Sequence, residues 1–305
     1  MGAKLKLHIL GCYAATPKTM THPTAQVLEI KNKLFLIDCG EGTQVEMRRN
    51  RVRFSRIQCI FISHLHGDHF FGLPGLISTF RLLGREKELH IYGPKGIKEA
   101  ITLLLKLGRS WTNFPLIFHE LSSPDPELIY EDVRLEIHTI PLRHRIYTNG
   151  FLFKEKPGQR KLNIEAAERY GVEKAFYRKI KDGGDVILED GRVIRNRDLT
   201  LDPPAPKSYA YCSDTSYHPE MVAQIKKTDV LYHEATFLES EAALATQTGH
   251  STAREAATIA RAAEVGLLIL GHYSTRYKST EAFREEAAAV FPQVVLAREG
   301  EVFEF

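Results

Sequence analysis

Three imidazoles and one carboxylate fall within six consecutive positions of the stretch Ser63-His64-Leu65-His66-Gly67-Asp68-His69. The apolar run 57–62 comes directly before this stretch and predicts a buried strand. Imidazole nitrogen and carboxylate oxygen are ligands that zinc prefers, and a catalytic zinc keeps an open position for water. This density of ligands at the end of a strand therefore predicts a metal site.

The spacing within the stretch predicts two metal ions rather than one. His64 and His66 are two residues apart, so extended backbone projects both side chains to the same side. Gly67 is expected to let the chain turn sharply, so that Asp68 and His69 face a second ion. A polar loop of hydrogen-bonded histidines is the alternative for any one histidine, but the combined pattern favours metal.

The composition is that of an ordinary globular protein. Of its 305 residues, 43% are hydrophobic and 26% are charged, and the net charge of +3 permits a nucleic-acid partner without requiring one. The start 1–7 lacks the apolar segment of a secretory signal, and no apolar run approaches the roughly 18 residues of a membrane helix. Four cysteines stand singly and predict buried, reduced thiols: Cys12, Cys39, Cys59 and Cys212. We therefore expect a cytoplasmic protein with no membrane association.

Strand-like and helix-like segments alternate along the chain, which predicts a layered α/β fold. Strands are expected over 5–9, 26–30, 34–38, 57–62, 88–92, 133–139, 209–213, 230–232 and 267–270, and helices over 43–49, 72–83, 97–107 and 253–263. The last helix is preceded by Thr252, which has Glu255 at capping-box spacing.

Residues 154–207 have a different texture, with Gly and Pro breaks, short hydrophobic periodicity and dense charge. We expect one domain over 1–305 with 154–207 as an inserted arm that contains a small hairpin at 185–194. Basic residues surround Phe176 and Tyr177 in this arm, a mixture that suits RNA, although acidic residues nearly balance them. A second basic cluster, over 48–56, is either a solvated surface or an RNA-backbone contact.

Three further candidate ligands each follow an apolar strand: His144, Asp214 and His272. Two zinc ions are then held by His64, His66 and His144 and by Asp68, His69 and His272, with Asp214 as the bridge. His138 and His233 are expected to be structural histidines. No partner is predicted for His8, His22, His90, His119 and His218.

Seven stretches carry a resemblance to a known family. They are 36–44 (LIDCGEGTQ), 62–69 with 72–76, 92–96 (YGPKG), 212–215 (CSDT), 233–237 (HEATF), 250–252 (HST) and 272–277 (HYSTRY). The chain resembles the ribonuclease Z family of the metallo-β-lactamase superfamily, the endoribonucleases that process tRNA 3′ ends. The resemblance spans nearly the whole chain, and the last three stretches are its most specific part.

The resemblance implies an αββα sandwich, two Zn²⁺ per subunit, a homodimer without an organic cofactor, and an arm that grips the tRNA elbow. It implies removal of 3′ trailers from precursor tRNA, leaving a tRNA 3′-hydroxyl and a trailer 5′-phosphate. Two loops depart from the family pattern. The loop 15–23 lacks the usual Pro-x-Lys-x-Arg-Asn pattern, and the arm stretch 171–176 lacks proline.

The same resemblance supplies catalytic roles. Asp68 is the expected general base as well as a ligand, and His250 is the expected proton donor to the departing 3′-oxygen, oriented by Glu234. Arg276 is expected to bind the scissile phosphate through its planar fork, with Ser274 as a weaker candidate.

Three other functions fit parts of the pattern. One is a phosphodiesterase or 3′-exonuclease of the same superfamily, which product lengths on a precursor tRNA separate from an endonuclease. Another is a redox diiron protein of the same fold, although such proteins typically place Glu where His66 stands, and metal analysis decides this. The last is a non-catalytic tRNA-binding subunit, against which the complete ligand set argues.

Overall fold

The computed structural model describes residues 5–16 and 18–305 of the chain. Residues 1–4, on which the expected absence of a secretory signal partly rests, and Pro17 of the variant loop lie outside the described residues. No helix in the described part is long and apolar enough to cross a membrane.

The described residues form eighteen strands. These are β1 Lys6–Gly11, β2 Ala25–Ile30, β3 Lys33–Ile37, β4 Ile57–Phe61, β5 Leu89–Pro94, β6 Leu116–Leu121, β7 Leu128–Glu131, β8 Leu135–Leu142, β9 Thr148–Glu155, β10 Lys161–Leu162, β11 Val186–Ile187, β12 Val193–Ile194, β13 Thr200–Leu201, β14 Ser208–Cys212, β15 Val230–Glu234, β16 Leu267–Gly271, β17 Val294–Leu296 and β18 Val302–Glu304.

Nine α-helices are present in the same part of the chain, with short 3-10 turns between them. The helices are α1 Thr43–Arg49, α2 Gly67–Phe70, α3 Leu73–Leu82, α4 Ile97–Leu107, α5 Ile164–Arg169, α6 Tyr177–Lys181, α7 Ala242–Thr248, α8 Ala253–Ala262 and α9 Glu281–Ala288. The 3-10 turns are Phe54–Arg56, Lys174–Phe176, Asn196–Asp198, Pro219–Ala223 and Glu239–Glu241.

Two seven-stranded sheets form the centre of the molecule, in the orders β18-β1-β2-β3-β4-β5-β6 and β17-β16-β15-β14-β9-β8-β7. Strands β3 to β6 of the first sheet are parallel to one another, as are β14 to β17 of the second. The inner faces of the sheets meet through aromatic side chains, with Phe61 contacting Phe151 and Phe153 at ring-centroid distances of 5.3 and 5.5 Å.

Helices cover the outer face of each sheet. Buried side chains of α1, α3 and α4 pack with the outward residues of β2 to β5, and alanines of α8 pack on β15 and β16. The predicted α/β class and αββα sandwich are therefore confirmed. Parallel strands end at a common edge, so this arrangement gathers the residues that follow β4, β14 and β16.

Several elements begin and end where the sequence predicts. Helices α1 and α4 match 43–49 and 97–107, and α8 begins with the predicted capping box, in which Thr252 Oγ1 accepts from the Glu255 N–H and Glu255 accepts from the Thr252 N–H. The four cysteines are buried and free, as predicted. Burial raises the pKa of the Cys39 and Cys59 thiols to about 12, so these thiols stay protonated and inert.

Other elements differ from the prediction for physical reasons. Val133 is 90% exposed and lies in the turn before β8, because Asp132 accepts hydrogen bonds from the N–H groups of Arg134 and Leu135. Strand β9 lacks the alternating pattern that identifies a half-buried strand, because it lies between β8 and β14 with nearly every side chain buried.

The segment 154–207 is more ordered than its composition suggests. The predicted hairpin at 185–194 is present, with Val186 opposite Ile194. Helices α5 and α6, which the sequence analysis did not predict, surround a small apolar core of their own: Ala167, Val172, Ile180, Val186, Ile194 and Leu199. The segment leaves and rejoins the second sheet where Lys154 of β9 pairs with Ser208 of β14.

Candidate metal centre

The seven candidate ligands lie together at one edge of the two sheets. His64, His66, Asp68 and His69 follow β4 of the first sheet, while His144, Asp214 and His272 follow β8, β14 and β16 of the second. They come from four separate segments of the chain. The topology thus brings together residues up to 208 positions apart, since His64 is the first and His272 the last of the seven in the sequence.

One group of donor atoms surrounds Nδ1 of His66. His64 Nε2 lies 3.0 Å from this atom, and His144 Nε2 lies 3.3 Å from it. Oδ2 of Asp214 completes the group at 3.6 Å from His64 Nε2 and 3.9 Å from His144 Nε2. Four ligand atoms that converge in this way can hold one metal ion.

A second group lies on the other side of Asp214. Asp68 Oδ2 is 3.4 Å from Nε2 of both His69 and His272. Oδ1 of Asp214 is 3.3 Å from the same two nitrogen atoms. Asp214 therefore offers one carboxylate oxygen to each group, which is the arrangement of a bridging ligand.

The separations of the donor atoms match those around a metal ion better than they match a network of hydrogen bonds. Donors about 2.0–2.1 Å from a tetrahedral ion lie about 3.4 Å apart, close to the separations found here. His69 Nε2 and Asp214 Oδ1 are buried and have no hydrogen-bond partner among the described residues. Buried polar atoms without a partner are rare in native proteins, and a cation bound between these two atoms would satisfy both.

The electrostatics of the buried histidines agree with this fit. Burial, together with the neighbouring His69, lowers the pKa of His64 well below its usual value, which keeps that imidazole neutral and able to bind metal. Burial also opposes charge on His69, but the carboxylates of Asp214, Asp68 and Asp38 outweigh it and raise the pKa of His69. The second group thus attracts positive charge, which a metal ion supplies.

In three of the ligand histidines, the ring nitrogen that faces away from the site has a hydrogen-bond partner. His69 Nδ1 donates to Asp38 Oδ2 at 2.8 Å, and His144 Nδ1 donates to the Gly249 carbonyl at 2.7 Å. His272 Nδ1 donates to Thr236 Oγ1 at 2.9 Å. Such contacts fix the tautomer and orientation of each ring, so that the other nitrogen points into the site.

Asp38 is a site residue that the sequence analysis missed. Its buried carboxylate accepts from the Ser63 N–H and hydroxyl at 2.7 and 2.8 Å, from the Tyr211 hydroxyl at 2.5 Å, and from His69. Asp38 has a φ of 54°, which aspartate tolerates better than most residues. A buried aspartate at the end of an apolar strand was the available signal.

Glu234 organises the loops on the opposite side of the site. This fully buried carboxylate accepts from the N–H groups of Thr215 and Ser251 at 3.1 and 2.9 Å and from the Thr236 N–H at 2.8 Å. His250 Nδ1 also lies 3.0 Å from it. Burial opposes charge on His250, but Glu234 outweighs burial and raises the pKa of His250 to about 9. The imidazole is therefore protonated near neutral pH.

Arg276 and Ser274 lie on the loop after β16, which contacts the segment of Thr236 and Phe237 next to His250. The Arg276 guanidinium lies 5.0 Å from the centre of the Phe237 ring, and that ring is 6.1 Å from the His250 ring. Arg276 Nη1 is 3.5 Å from Glu241, with both side chains nearly half exposed. The guanidinium thus stands at the solvent side of the site.

Gly67 has a different purpose from the one that the sequence suggests. Its φ is not in the left-handed region, and it begins the short helix α2 rather than a sharp glycine turn. A Cβ atom at this position would lie 2.3 to 2.7 Å from three ring atoms of Phe71. The chain does turn here as expected, from extended backbone at His66 into α2, but the position needs glycine to make room for a neighbouring ring rather than for its backbone freedom.

Several histidines outside the site have partners that the sequence analysis did not foresee. His22 lies between two carboxylates, 3.3 Å from Glu46 and 3.1 Å from Glu299. Nδ1 of His90 and Nε2 of His119 are 2.9 Å apart. Glu88 lies 3.1 Å from His90 and Glu220 lies 2.8 Å from His218. The Glu-x-His spacing at Glu88 and His90 was a usable signal, since residues two apart in extended chain share a side.

The structural assignments of two other histidines agree with the structure. His138 is partly exposed on the face opposite the buried residues of β8 and lies 3.2 Å from Glu136. His233 is buried, and its Nδ1 donates to the Glu234 carbonyl at 2.7 Å.

In the basic cluster 48–56, Arg49 pairs with Glu46, and Arg56 pairs with Glu29, which favours the interpretation as an ordinary surface.

Family models match two parts of the chain. Residues 5–157 match the model of the anti-Pycsar protein Apyc1, and residues 199–273 match that of the beta-lactamase superfamily domain. Among solved structures, human tRNase Z, short form (ELAC1), is 27% identical, with a TM-score of 0.71 and 98% of each chain covered. The metallo-beta-lactamase fold protein YhfI from Bacillus subtilis is 19% identical, with a TM-score of 0.70, and supports the fold alone.

Curated relatives are more similar still. Ribonuclease Z of Bacteroides thetaiotaomicron is 50% identical over 97% of this chain and 94% of the relative. Ribonuclease Z of Porphyromonas gingivalis is 46% identical over 97% of this chain and 98% of the relative. Identity at this level over nearly the full length of both proteins settles the family. The chain belongs to the ribonuclease Z family of the metallo-β-lactamase superfamily.

Proposed function

We propose that this hydrolytic endoribonuclease is zinc-dependent and removes 3′ trailers from precursor tRNA, leaving a tRNA 3′-hydroxyl and a trailer 5′-phosphate. The observation that carries the proposal is the convergence of seven donor residues, with Asp214 between the two groups, in a chain 50% identical to a ribonuclease Z. The name of the human structural relative, tRNase Z, supports tRNA as the substrate. Cleavage of a 3′-extended precursor tRNA, with both new ends mapped, tests it.

Two Zn²⁺ ions per chain are the proposed cofactors. His64, His66 and His144 would hold one ion, Asp68, His69 and His272 would hold the other, and Asp214 would bridge them. Zinc suits a site of imidazole and carboxylate donors, and when bound it lowers the pKa of a water molecule and stabilises charge on a phosphate.

The protein supplies two proton-transfer groups on opposite sides of Asp214. Asp68, whose carboxylate lies in the second donor group, accepts the proton of the attacking water as its oxygen bonds to phosphorus. The bond from phosphorus to the tRNA 3′-oxygen then breaks, and His250 gives that oxygen a proton. Glu234, 3.0 Å from His250 Nδ1, orients the ring and holds it protonated.

Arg276 is proposed to bind a phosphate of the substrate, with Ser274 as a second contact. The guanidinium stands on the Phe237 ring at the solvent side of His250. An entering phosphate would replace the partly exposed Glu241 as the partner of Arg276. A partly exposed ion pair contributes little stability, so this exchange costs little. A planar guanidinium can then donate two hydrogen bonds to the phosphate.

The segment 154–207 is proposed to bind precursor tRNA away from the cleavage site as an inserted arm. It is continuous with β9 and β14 of the second sheet and has its own apolar core. Lys174, Arg178, Lys179 and Lys181 are exposed on its helical part. These charges attract the phosphates of a folded RNA.

A homodimer in the cytoplasm is the proposed state of the enzyme. Helices α3 and α4 contact one another, and large apolar side chains near their C-terminal ends are about half exposed or more. These side chains are Leu82, Leu83, Leu103, Leu104, Leu107 and Trp111. Exposed apolar side chains on two helices that contact one another favour association with a second copy of the chain.

A further inference from the structure

An aromatic side chain stands in solvent next to the proposed general base. Phe71 is 66% exposed, whereas Phe70, its neighbour in the chain, is 8% exposed and belongs to the core. Full burial of a phenylalanine is worth roughly 1.5–3 kcal/mol relative to exposure, and this ring forgoes most of that stabilisation, since its one ring contact among the described residues is with Phe70 at a centroid distance of 5.2 Å. The proposed mechanism assigns Phe71 no role.

Phe71 and Asp68 line the same recess. The recess has a volume of about 230 Å³, and its other lining residues are Gly67, Ala15, Pro23 and Glu41. It therefore opens between the short helix α2 and the loop that follows β1. Any group bound there lies beside Asp68.

The backbone that carries the Phe71 ring is held in place. The Phe71 N–H donates to the Gly67 carbonyl at 2.9 Å, and the Gly72 N–H donates to the Cys39 carbonyl at 2.9 Å. Gly72 also lies so close to Gly40 that an added Cβ would come within 2.1 Å of its carbonyl oxygen. The ring rests over Gly67, where a Cβ would collide with it. Phe71 is thus an exposed ring on a fixed support.

From this geometry we propose that Phe71 is a stacking platform for an unpaired nucleobase of the substrate next to the cleaved bond. Unpaired bases bind proteins by stacking on aromatic side chains, and stacking tolerates any base because every base has a π-face. The inference rests on the proposed function, since it needs an RNA substrate with single-stranded residues at Asp68. Phe71 then acts as a positioning residue that aligns the phosphate.

The base can belong to the last tRNA nucleotide or to the first trailer nucleotide. Both are unpaired in a 3′-extended precursor, and the stacking chemistry is the same. Precursors with an abasic sugar at one or the other position distinguish these sources, because an abasic sugar removes the base and keeps the phosphates.

The test combines Phe71→Ala with the abasic precursors in single-turnover cleavage. On the intact precursor, Phe71→Ala is expected to lower kcat/KM roughly 5- to 150-fold, the range that corresponds to one stacked base. On the precursor that lacks the stacked base, the same substitution is expected to have less than about a twofold effect. Phe71→Trp keeps a ring and should cleave the intact precursor within about threefold of wild type.

Zinc content and thermal midpoint should be unchanged in both variants, because Phe71 is exposed and is not a ligand. An equal loss on intact and on both abasic precursors would overturn the stacking proposal, as would full activity of Phe71→Ala on the intact precursor. If wild type cleaves the intact precursor, those results refute the stacking role of Phe71 and leave the proposed function standing. If wild type fails to cleave it, the proposed function fails first, and the stacking proposal fails with it.

Discussion

Glu234 and His250 form a buried pair, with Oε1 of the carboxylate 3.0 Å from Nδ1 of the imidazole. The same carboxylate accepts hydrogen bonds from three backbone N–H groups, which fix its position independently of His250. The pair is therefore built to keep one imidazole oriented and positively charged beside the metal centre.

Removal of His250 should abolish rapid cleavage. We expect His250→Ala to lower the single-turnover rate on precursor tRNA by about 10² to 10⁴, the usual contribution of general acid catalysis. The zinc content should stay at the wild-type value, because the seven proposed ligands remain. A wild-type rate in this variant, with zinc bound, would remove His250 from the mechanism.

The pH–rate profile should report the charge that Glu234 maintains. The pKa of His250 is raised to about 9, so the acid form is present below this pH and activity should fall as pH rises through it. In Glu234→Gln the raising influence is lost and burial remains, so the alkaline limb should move to lower pH. Glu264→Gln, an exposed glutamate paired with Lys226, serves as the control. An unchanged alkaline limb in Glu234→Gln would contradict this role.

Asp38 should tune the metal affinity without being a ligand. Asp38→Asn keeps the size of the side chain and tolerates the φ of 54°, but it cannot serve His69, Ser63 and Tyr211 as a carboxylate does. We expect zinc to bind with about 10- to 100-fold lower affinity in a chelator competition. Wild type should hold two zinc ions per chain. Asp132→Asn, in the turn before β8, is the control and should match wild type.

The arm should contribute to binding of precursor tRNA and not to hydrolysis of the phosphodiester bond. Lys154 pairs with Ser208 across β9 and β14, so replacing residues 158–204 by a short glycine-rich turn leaves an ordinary hairpin. We expect KM for precursor tRNA to rise about tenfold or more, while hydrolysis of bis(p-nitrophenyl) phosphate stays within about twofold. Equal losses on both substrates would mean that the segment supports the catalytic domain instead.

The exposed leucines of α3 and α4 should control the oligomeric state. Leu107 is 72% exposed, so Leu107→Glu should leave folding intact while placing charge in the proposed contact. Sedimentation equilibrium is expected to show a dimer for wild type and mostly monomer for the variant. Val133→Glu, at a 90% exposed position in another part of the surface, is the control. A wild-type monomer would exclude the proposed homodimer.

Local signals account for what the sequence could predict. The helices 43–49 and 97–107 follow from periodicity with flanking glycines, and the capping box at Thr252 is a contact between near neighbours. The candidate ligands could be collected because each stands just beyond an apolar strand. Their convergence required only that the strands end at one edge of the sandwich.

Non-local contacts account for what the sequence could not predict. The partner of Asp38 is His69, 31 residues away, and no spacing rule connects them. Gly67 is a local exception, because the Phe71 ring that its Cβ would meet is four residues away, but no residue pattern shows which way an exposed ring lies. Strand β9 is hidden because burial on both faces removes its alternation. His22 meets Glu299 only because the chain ends beside the loop after β1.

The central claim is a zinc-dependent cut at the 3′ end of the tRNA body. The most direct measurement incubates the zinc-loaded protein with a 3′-extended precursor tRNA and maps the cut to one nucleotide, with a metal-stripped sample and His272→Ala in parallel. We predict one intact trailer with a 5′-phosphate and one tRNA with a 3′-hydroxyl, and neither product from the two parallel samples. A ladder of mononucleotides released from the 3′ end, or cleavage that persists without zinc, would exclude zinc-dependent endonucleolytic removal of the trailer.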